Sequence, residues 1–398
     1  MDTKDDRHVE RWHEHIRVLA EEIGPRGSTT EGERRGSEYC ERVLAGLGLS
    51  ARLEGFTSAR SIYHPHLLSG LGMLIAFGIY PWAGPWSAAG AFVITLVALV
   101  SELMELGFRD NLLRRWVPKG TSQNAIATVA PRGDPKQDLI LMGHVDSHRT
   151  PIIFSSDRWL TAYGVFIAVA FALFVAQLVL YGLGTVTQWY WIWPATIPSA
   201  VGAVLQLAMC IQADRTPFSP GANDNATAAG MVLALAEHLR AEPLEHSRVW
   251  LVCSGCEEVQ HYGAVDFYRR HRDELRNPTA VVLESLGCDG PGWLTKEGIL
   301  IPFRADAELV SLAERLSEEH PEWRGYPTKI FGGNTEMADA LRAGVPAITI
   351  CGITAKGRLP YWHQPGDTVD KIDPEVLARV YAFTWAYLQA LDVRAQGA

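Results

Sequence analysis

Two adjacent carboxylates, Glu257 and Glu258, follow an apolar run at residues 249–256 with the sequence VWLVCSGC. The run contains β-branched residues and is too short for a helix, so we expect a buried central strand. Acids at the mouth of a buried strand are costly to desolvate, and they persist in cores mainly where metal binding or catalysis uses them. Taken alone, however, the pair could equally begin a solvated loop.

Other apolar runs also end in residues that bind metals or protons. These residues are His144 and Asp146 after residues 138–143, Glu284 after residues 280–283, His363 beyond residues 347–352, and Asp224 at the head of an amphipathic helix. In open α/β sheets, ligand groups gather beyond the carboxyl ends of the strands, so we expect these side chains to converge. Imidazoles and carboxylates in this number can hold two divalent metal ions, with one carboxylate to bridge them and one left as a base.

These motifs resemble those of a known family, the co-catalytic zinc aminopeptidases of the bacterial leucyl aminopeptidase and glutamate carboxypeptidase type. The matching positions are His144 and Asp146 for His-x-Asp, Asp224 and Asn225 for Asp-Asn, Glu257 and Glu258 for Glu-Glu, Gly263 and Ala264 for the Gly-Ala that follows, and His363 with Asp367 for the terminal His and Asp-Thr. The order of helix, Gly-Pro-Arg turn, helix and strand before residue 60 also resembles the opening of this family. Each motif is weak alone, whereas five in the right order are specific.

The resemblance implies a role for each residue and two zinc ions as cofactors. Asp224 would bridge the metals, His144 and Glu284 would complete one site, and Glu258 and His363 would complete the other. Asp146 would orient His144 and fix its tautomer. Glu257 would be the general base that takes a proton from water. The family usually has Asp at position 284, and Asp289 is the alternative ligand if Glu284 does not bind.

Composition excludes several classes of function. The net charge of −9 and the lack of a basic, aromatic stripe argue against a nucleic-acid partner. Among the six cysteines, Cys253 and Cys256 form a C-x-x-C without a second pair, so we expect buried thiols, which suit a reducing compartment. The N-terminus is charged from its second residue and has no apolar core, so we expect no cleavable signal peptide.

Two apolar blocks, at residues 63–106 and 159–213, interrupt the peptidase pattern and read as helical hairpins. In the second block, residues 160–183 and 189–212 carry no charge, and a 24-residue helix is about 36 Å long against the roughly 30 Å of a bilayer core. Tryptophans at both ends resemble the aromatic belts of membrane proteins. The alternative is a hairpin buried in a large core or a dimer interface. The arms of the first block are shorter and only marginally long enough to span.

Both hairpins return the chain to the side that it left, which keeps all the catalytic motifs on one side of the membrane. Basic residues lie near the hairpin feet and not in the far turns: Arg60, Arg109, Arg114, Arg115, Lys119, Arg149, Arg158 and Arg215. By the positive-inside rule, we expect an integral membrane protein with a cytoplasmic catalytic domain. That domain would comprise residues 1–62, 107–158 and 214–398.

Four acids and two histidines near the motifs have no role from the resemblance. We expect surface or supporting positions for His148 and His261. Glu336 begins a predicted helix, where the helix dipole alone favours an acid, and Asp339 follows it. For Asp367 and Asp370 we expect a role in fixing a loop, and the alternative is that an Asp four residues after His363 orients a neighbouring residue.

The sequence therefore predicts a mixed, mostly parallel α/β sheet flanked by helices, the zinc exopeptidase fold, with two inserted transmembrane hairpins. The predicted function is a membrane-anchored dinuclear zinc aminopeptidase that acts on short peptides, hydrophobic ones included, with the lipid bilayer as its other partner. One alternative is a single-zinc enzyme resembling glutaminyl cyclase, or another amide hydrolase. The other is a non-catalytic membrane receptor or scaffold on a peptidase fold, against which the complete ligand set speaks.

Overall fold

The computed structural model describes residues 3–82, 84–330 and 332–396. Ala83, in the predicted turn of the first hairpin, lies outside them. The chain forms two compact units. The first comprises Met1–Ser58, Gly120–His148 and Phe218–Ala398, and the second comprises Ala59–Lys119 and Arg149–Pro217. Residues 107–119 and 149–158, which the sequence assigned to the peptidase part, thus belong to the second unit. One reason is Arg114, whose buried guanidinium binds Glu105 of the first hairpin.

A nine-stranded mixed sheet forms the centre of the first unit, within the part of the chain that the structure describes. Its strands are β1 Arg52–Ala59, β2 Lys119–Val129, β3 Gln137–His144, β4 Ser247–Ser254, β5 Thr279–Glu284, β6 Gly292–Glu297, β7 Phe303–Arg304, β8 Tyr326–Lys329 and β9 Ala347–Cys351. The order is β1-β2-β4-β3-β5-β9-β6-β7, with β8 beside β6. The four central strands β4, β3, β5 and β9 are parallel, while β2 pairs antiparallel with β4, and β6 pairs antiparallel with β9 and β7. The predicted mixed, mostly parallel fold is confirmed.

Twelve helices are described, and short 3-10 and π turns connect several of them. The helices are α1 Thr3–Arg17, α2 Glu31–Gly46, α3 Tyr63–Ile79, α4 Pro85–Leu106, α5 Asp157–Thr187, α6 Ile192–Ala195, α7 Ile197–Asp214, α8 Thr227–Ala241, α9 Tyr262–His271, α10 Ala307–Glu319, α11 Met337–Arg342 and α12 Pro374–Ala395. Side chains cap several of them: Asp306 accepts from the amides of Glu308 and Leu309 at the start of α10. Helices α3 to α7 belong to the second unit, and the others belong to the first.

Helix α8 is the central helix of the first unit, and it packs on β3. Nearly all of its residues are buried, because the helix covers one face of parallel strands that are buried on both faces. The contact is close at Gly143, where a Cβ atom would lie 2.7 Å from the Cβ of Ala228. On the other side, the indole of Trp12 donates to the carbonyl of Thr227 at 2.7 Å. The loop that precedes α8, and with it Asp224, is therefore held from two directions.

The second unit is a bundle of helices with small residues at its centre. Buried Met73, Ala98, Ala170 and Ala203 come from four different helices and form one cluster. Several polar groups inside the bundle have partners: the Gln177 amide, for example, donates to the carbonyl of Met73 at 3.2 Å. Buried polar groups of this kind need such bonds, because burial without a partner costs several kcal/mol in an apolar medium.

Large apolar side chains point outward from the same bundle. Exposed examples on α5 and α7 are Val165, Val169, Val179, Val186, Val201, Val204 and Leu205. Among the described residues, three helices are long and apolar enough to cross a membrane: Pro85–Leu106, Asp157–Thr187 and Ile197–Asp214. The sequence predicted four such segments. Helix α3 has 17 residues, at the lower limit of spanning length, and is not among the three.

The close contact at Gly143 makes a prediction about stability. Gly143→Ala is expected to lower the free energy of unfolding by about 1–3 kcal/mol, because β3 or α8 must shift to admit the methyl group. Gly46→Ala is the control, since Gly46 is exposed in α2 and its added Cβ would meet nothing within 4 Å. Thermal unfolding of both variants measures the difference. Equal melting temperatures would show that the contact between strand and helix is not tight.

Candidate metal centre

The parallel strands bring the predicted ligands to one edge of the sheet. His144 ends β3, opposite Ser254 at the end of β4, and Glu284 ends β5, opposite Cys351 at the end of β9. The carboxylates of Glu257 and Glu258 follow β4 by three and four residues. Asp224 lies in the turn that precedes α8. The convergence predicted from the sequence is therefore a consequence of strand register.

Two groups of ligand atoms share the carboxylate of Asp224. In the first, His144 Nε2 lies 3.5 Å from Asp224 Oδ1 and 3.6 Å from Glu284 Oε2. In the second, His363 Nε2 lies 3.4 Å from Asp224 Oδ2 and 3.2 Å from Glu258 Oε2. Each group thus uses a different oxygen of Asp224, which is the arrangement that a bridging carboxylate requires.

The spacing of these atoms fits zinc. Tetrahedral zinc, at about 2.0–2.1 Å from nitrogen or oxygen, separates neighbouring ligand atoms by roughly 3.3–3.4 Å. Glu258 Oε1 has no hydrogen-bond partner among the described residues. Burial, followed by the charges of Asp224 and Glu257, raises the pKa of Glu258 well above its usual range. Carboxylates crowded in this way are stabilised by a divalent cation, so the residues fit the metal that the motifs imply.

Glu284 is held by polar neighbours of its own. Its Oε1 accepts from the Ser285 hydroxyl at 2.7 Å, and its Oε2 accepts from the Asn225 amide at 3.1 Å. The longer side chain nevertheless brings Oε2 into the group with His144 and Asp224, whose ligand atoms all lie within 4.8 Å of one another. Asp289, the alternative ligand, does not belong to the metal-binding groups found among the described residues.

Asp146 contacts more of the site than the resemblance implied. The backbone carbonyl of Asp146 accepts from His144 Nδ1 at 3.0 Å, which leaves Nε2 facing the metal groups. Its carboxylate accepts from the backbone amides of Glu257 and Glu258, both at 3.1 Å. The Ser28 hydroxyl also donates to it at 2.6 Å. Asp146 therefore fixes the turn that carries both glutamates.

Asp367 fixes the second turn of the site. Its two carboxylate oxygens accept from the amides of Asn223, at 2.7 Å, and Asp224, at 3.0 Å. Burial raises the pKa of Asp367 to about 7. The loop-fixing interpretation holds for Asp367, whereas Asp370 is exposed and bonds Thr368 and Lys371 instead.

His148 lies within the site, not at the surface. It is buried, and its ring stacks on that of His363 with centroids 3.7 Å apart. One ligand atom from each of His148, Glu258 and His363 lies within 4.8 Å of the others. His148 is thus a further candidate ligand. The signal available in the sequence was its position only two residues after the His-x-Asp motif.

Glu336 precedes α11 as its N-cap residue, at the helix start that the sequence predicted. It is also buried beside the end of β4, where its Oε1 accepts from the Ser254 hydroxyl. Burial raises the pKa of Glu336 to about 8. This acid therefore also belongs to the buried surroundings of the site. Its neighbour Asp339 is also buried and lies 2.6 Å from the ring of His261.

The two cysteines of the C-x-x-C are buried, as predicted. Burial raises the pKa of the Cys256 thiol well above its usual range. A hydrogen bond with Cys40, followed by burial, does the same for Cys253. Both side chains are therefore protonated thiols, which are poor metal ligands.

Comparison with known proteins relates part of the chain to a peptidase family. Residues 207–388 match peptidase family M28. That segment contains all but one of the candidate ligands in the two groups around Asp224, the exception being His144. A comparison with curated proteins finds no match.

Solved structures share the fold over nearly the whole chain. A glutaminyl cyclase from Bacteroides thetaiotaomicron, bound to N-acetylhistamine, has a TM-score of 0.58 at 12% identity, covering 96% of this chain and 97% of the other. A leucine aminopeptidase precursor from the same organism gives 0.57 at 12% identity, with 96% of each chain covered. A zinc aminopeptidase from Bacillus subtilis gives 0.56 at 14% identity, with 96% and 95% covered. Together with the family match, these findings confirm the predicted resemblance and a zinc-dependent metallopeptidase.

Proposed function

We propose that this zinc-dependent metallopeptidase, which carries an M28 domain at residues 207–388, is a membrane-anchored aminopeptidase that binds two zinc ions. Its substrates would be short peptides with a free N-terminus. The observation that carries the proposal is the shared carboxylate of Asp224, whose two oxygens face two different imidazoles at 3.5 and 3.4 Å. A site built for a single ion does not need both oxygens in this way.

The chain's own residues would divide the work of peptide hydrolysis. His144, Asp224 and Glu284 would hold one zinc ion, and Asp224, Glu258 and His363 would hold the other. When bound, the ions supply Lewis acidity toward the scissile carbonyl and toward water. Glu257 would take the proton of the attacking water at Oε2 and then deliver it to the leaving amine. Asp146 supports this role, because its carboxylate accepts hydrogen bonds from the backbone amides of Glu257 and Glu258.

An assay of aminoacyl amides tests the reaction and the base together. With zinc, the purified protein is expected to release N-terminal leucine from leucine amides and to leave N-acetylated amides intact. Glu257→Gln should retain the zinc content of the wild type and lose roughly two to four decades of kcat, because only the proton acceptor is removed. Loss of metal from this variant would mean that the two glutamates have exchanged roles.

A single-zinc amide hydrolase or a glutaminyl-cyclase-like enzyme is the second candidate. The observation that favours it is that Ser285 and Asn225 each donate a hydrogen bond to the carboxylate of Glu284. One lone pair on each carboxylate oxygen is therefore already used. Each oxygen still has a second lone pair for a metal. Fold likeness to glutaminyl cyclases at 12% identity agrees with either reading.

Metal analysis separates the two candidates. For the wild type we expect two zinc ions per chain, falling to about one in Glu284→Ala and recovering in part in Glu284→Asp. Thermal unfolding without added metal should change little in either variant if the fold is intact. One ion per chain in the wild type would favour the single-zinc candidate. Two ions in Glu284→Ala would show that another residue, such as His148 or Asp289, completes the site.

Several features of the second unit support a membrane anchor. Apolar side chains cover the outer faces of α5 and α7. Both far turns of the hairpins carry exposed aromatic side chains, Trp82 and Trp86 in one, and Trp189, Tyr190 and Trp191 in the other. Such rings favour the membrane interface. An enzyme held in this way would encounter hydrophobic peptides that partition into the interface, which supports hydrophobic short peptides as preferred substrates.

Cysteine labelling tests the anchor and its orientation. Exposed Gln188 lies at the far turn of the second hairpin, and exposed Arg115 lies at the opposite, basic end of the unit. In a Cys288→Ser background, whose other cysteines are buried, Gln188→Cys should react with an impermeant maleimide in intact cells. Arg115→Cys should react only after permeabilisation. The reverse pattern would place the catalytic domain outside, and release of the protein by an alkaline wash would exclude the anchor.

A further inference from the structure

A buried row of alternating charges extends from Glu257 away from the metal groups. Glu257 Oε1 lies 3.1 Å from His261 Nε2, and His261 Nδ1 lies 2.6 Å from Asp339 Oδ2. The other oxygen of Asp339 accepts from Arg342 at 3.1 Å. Glu257, His261 and Asp339 are all less than 10% exposed. The sequence predicted a surface or supporting position for this histidine, and the proposed mechanism has not used it.

The backbone ties His261 to the turn that carries Glu257. The amide of His261 donates to the carbonyl of Glu257 at 2.8 Å, and the next amide, of Tyr262, donates to Cys256 at 3.0 Å. His261 itself has a φ of +57°, in the left-handed region where a residue with a side chain is disfavoured. A strained position is kept when the surrounding structure over-determines it. Here the strain places the imidazole between two carboxylates.

Both ring nitrogens of His261 face carboxylate oxygens, which only accept hydrogen bonds when ionised. Both nitrogens are thus placed to donate, and a ring that donates from both is an imidazolium. Burial opposes the charged ring, but the carboxylates of Glu257 and Asp339 outweigh it and raise the pKa of His261 well above its usual range. With Arg342 added, the row has two negative and two positive charges. Its charges balance without any help from the metal site.

Glu257 also lies close enough to the metal groups to become a ligand. Its Oε2 is 3.7 Å from His144 Nε2, and ligand atoms of His144, Glu257 and Glu258 all lie within 4.8 Å of one another. A base that binds the metal through its carboxylate can no longer accept a proton from water there. The enzyme therefore needs an interaction that keeps the carboxylate of Glu257 from binding the metal.

We propose that His261, held by Asp339, is a positioning residue that keeps Glu257 a base and prevents it from becoming a metal ligand. The proposal rests on the proposed role of Glu257. The imidazolium binds Oε1, so the carboxylate cannot swing both oxygens toward the metals. Oε2 then remains as the oxygen that takes the proton. Asp339 acts through the ring, because its bond to Nδ1 fixes the orientation of Nε2.

Replacement of His261 tests the proposal. His261→Leu is expected to lower kcat about 10- to 100-fold, as loss of an orienting partner does, with KM and zinc content nearly unchanged. In the cobalt-substituted enzyme, capture of Glu257 as an extra ligand should weaken the visible absorption, which reports coordination number. His261→Gln, which keeps one N–H donor, should recover part of kcat. Asp339→Asn should lower kcat and weaken the cobalt absorption as His261→Leu does. It replaces His261→Leu in the test if that variant does not fold.

Two controls separate positioning from packing. His238→Leu removes another buried histidine, whose Nδ1 lies 3.0 Å from the hydroxyl of Tyr381 in α12, and should lower the melting temperature without changing kcat or the cobalt spectrum. In a Glu257→Gln background, His261→Leu should cause no further loss of kcat, because His261 acts through the base. Additive losses would overturn the proposal.

The same measurements distinguish this proposal from the proposed function. If Glu257→Gln retains the wild-type kcat, Glu257 is not the base and the proposed mechanism is wrong. If Glu257→Gln is inactive while His261→Leu and Asp339→Asn keep both kcat and the cobalt spectrum, the mechanism stands. In that case only the positioning role of His261 is wrong.

Discussion

The burial of many carboxylates at one edge of a sheet is the constraint on which the first unit depends. Each ionised acid removed from water needs a cation or hydrogen-bond donors. The protein supplies donors where geometry must be fixed: Asp146 and Asp367 each accept from two backbone amides. Where a metal would lie, the protein places imidazoles and the Oε1 atom of Glu258, which has no hydrogen-bond partner among the described residues. Zinc then completes the electrostatics of the fold as well as the chemistry.

In the second unit, the distribution of polar and apolar groups is the reverse of that in the first. Its outer surface carries many large apolar side chains, and several of its buried polar groups are hydrogen-bonded inside the bundle, as Gln177 is with the carbonyl of Met73. The buried pair of Glu105 and Arg114 is bidentate, which satisfies both charges together. A chain that carries both patterns combines a water-facing enzyme with a segment suited to an apolar solvent. The sharp change at residues 149 and 217 marks where one pattern replaces the other.

Residues around the site differ in how far the sequence could reveal them. The candidate ligands His144, Asp224, Glu258 and His363 are visible because each follows a recognisable strand or turn. Strand register aligns the strand ends that precede Glu258 and carry His144. His148 was visible as a residue but not as a ligand, since only the stacked ring of His363 gives it a role. Glu336 was visible as the start of a helix but not as a buried residue of the site, because its partner Ser254 lies 82 positions away.

The sequence by itself determined the mixed α/β class, the two apolar blocks and most of the candidate donors, because residue type and periodicity encode these locally. Tertiary structure alone decided which oxygen of Asp224 faces which imidazole, and that Asp146 holds the amides of both glutamates. It also decided that His261 lies between Glu257 and Asp339. His261 and Asp339 are 78 positions apart, and their contact depends on how α9 and α11 pack. No local pattern encodes a distance of that kind, since it is set by the packing of the whole unit.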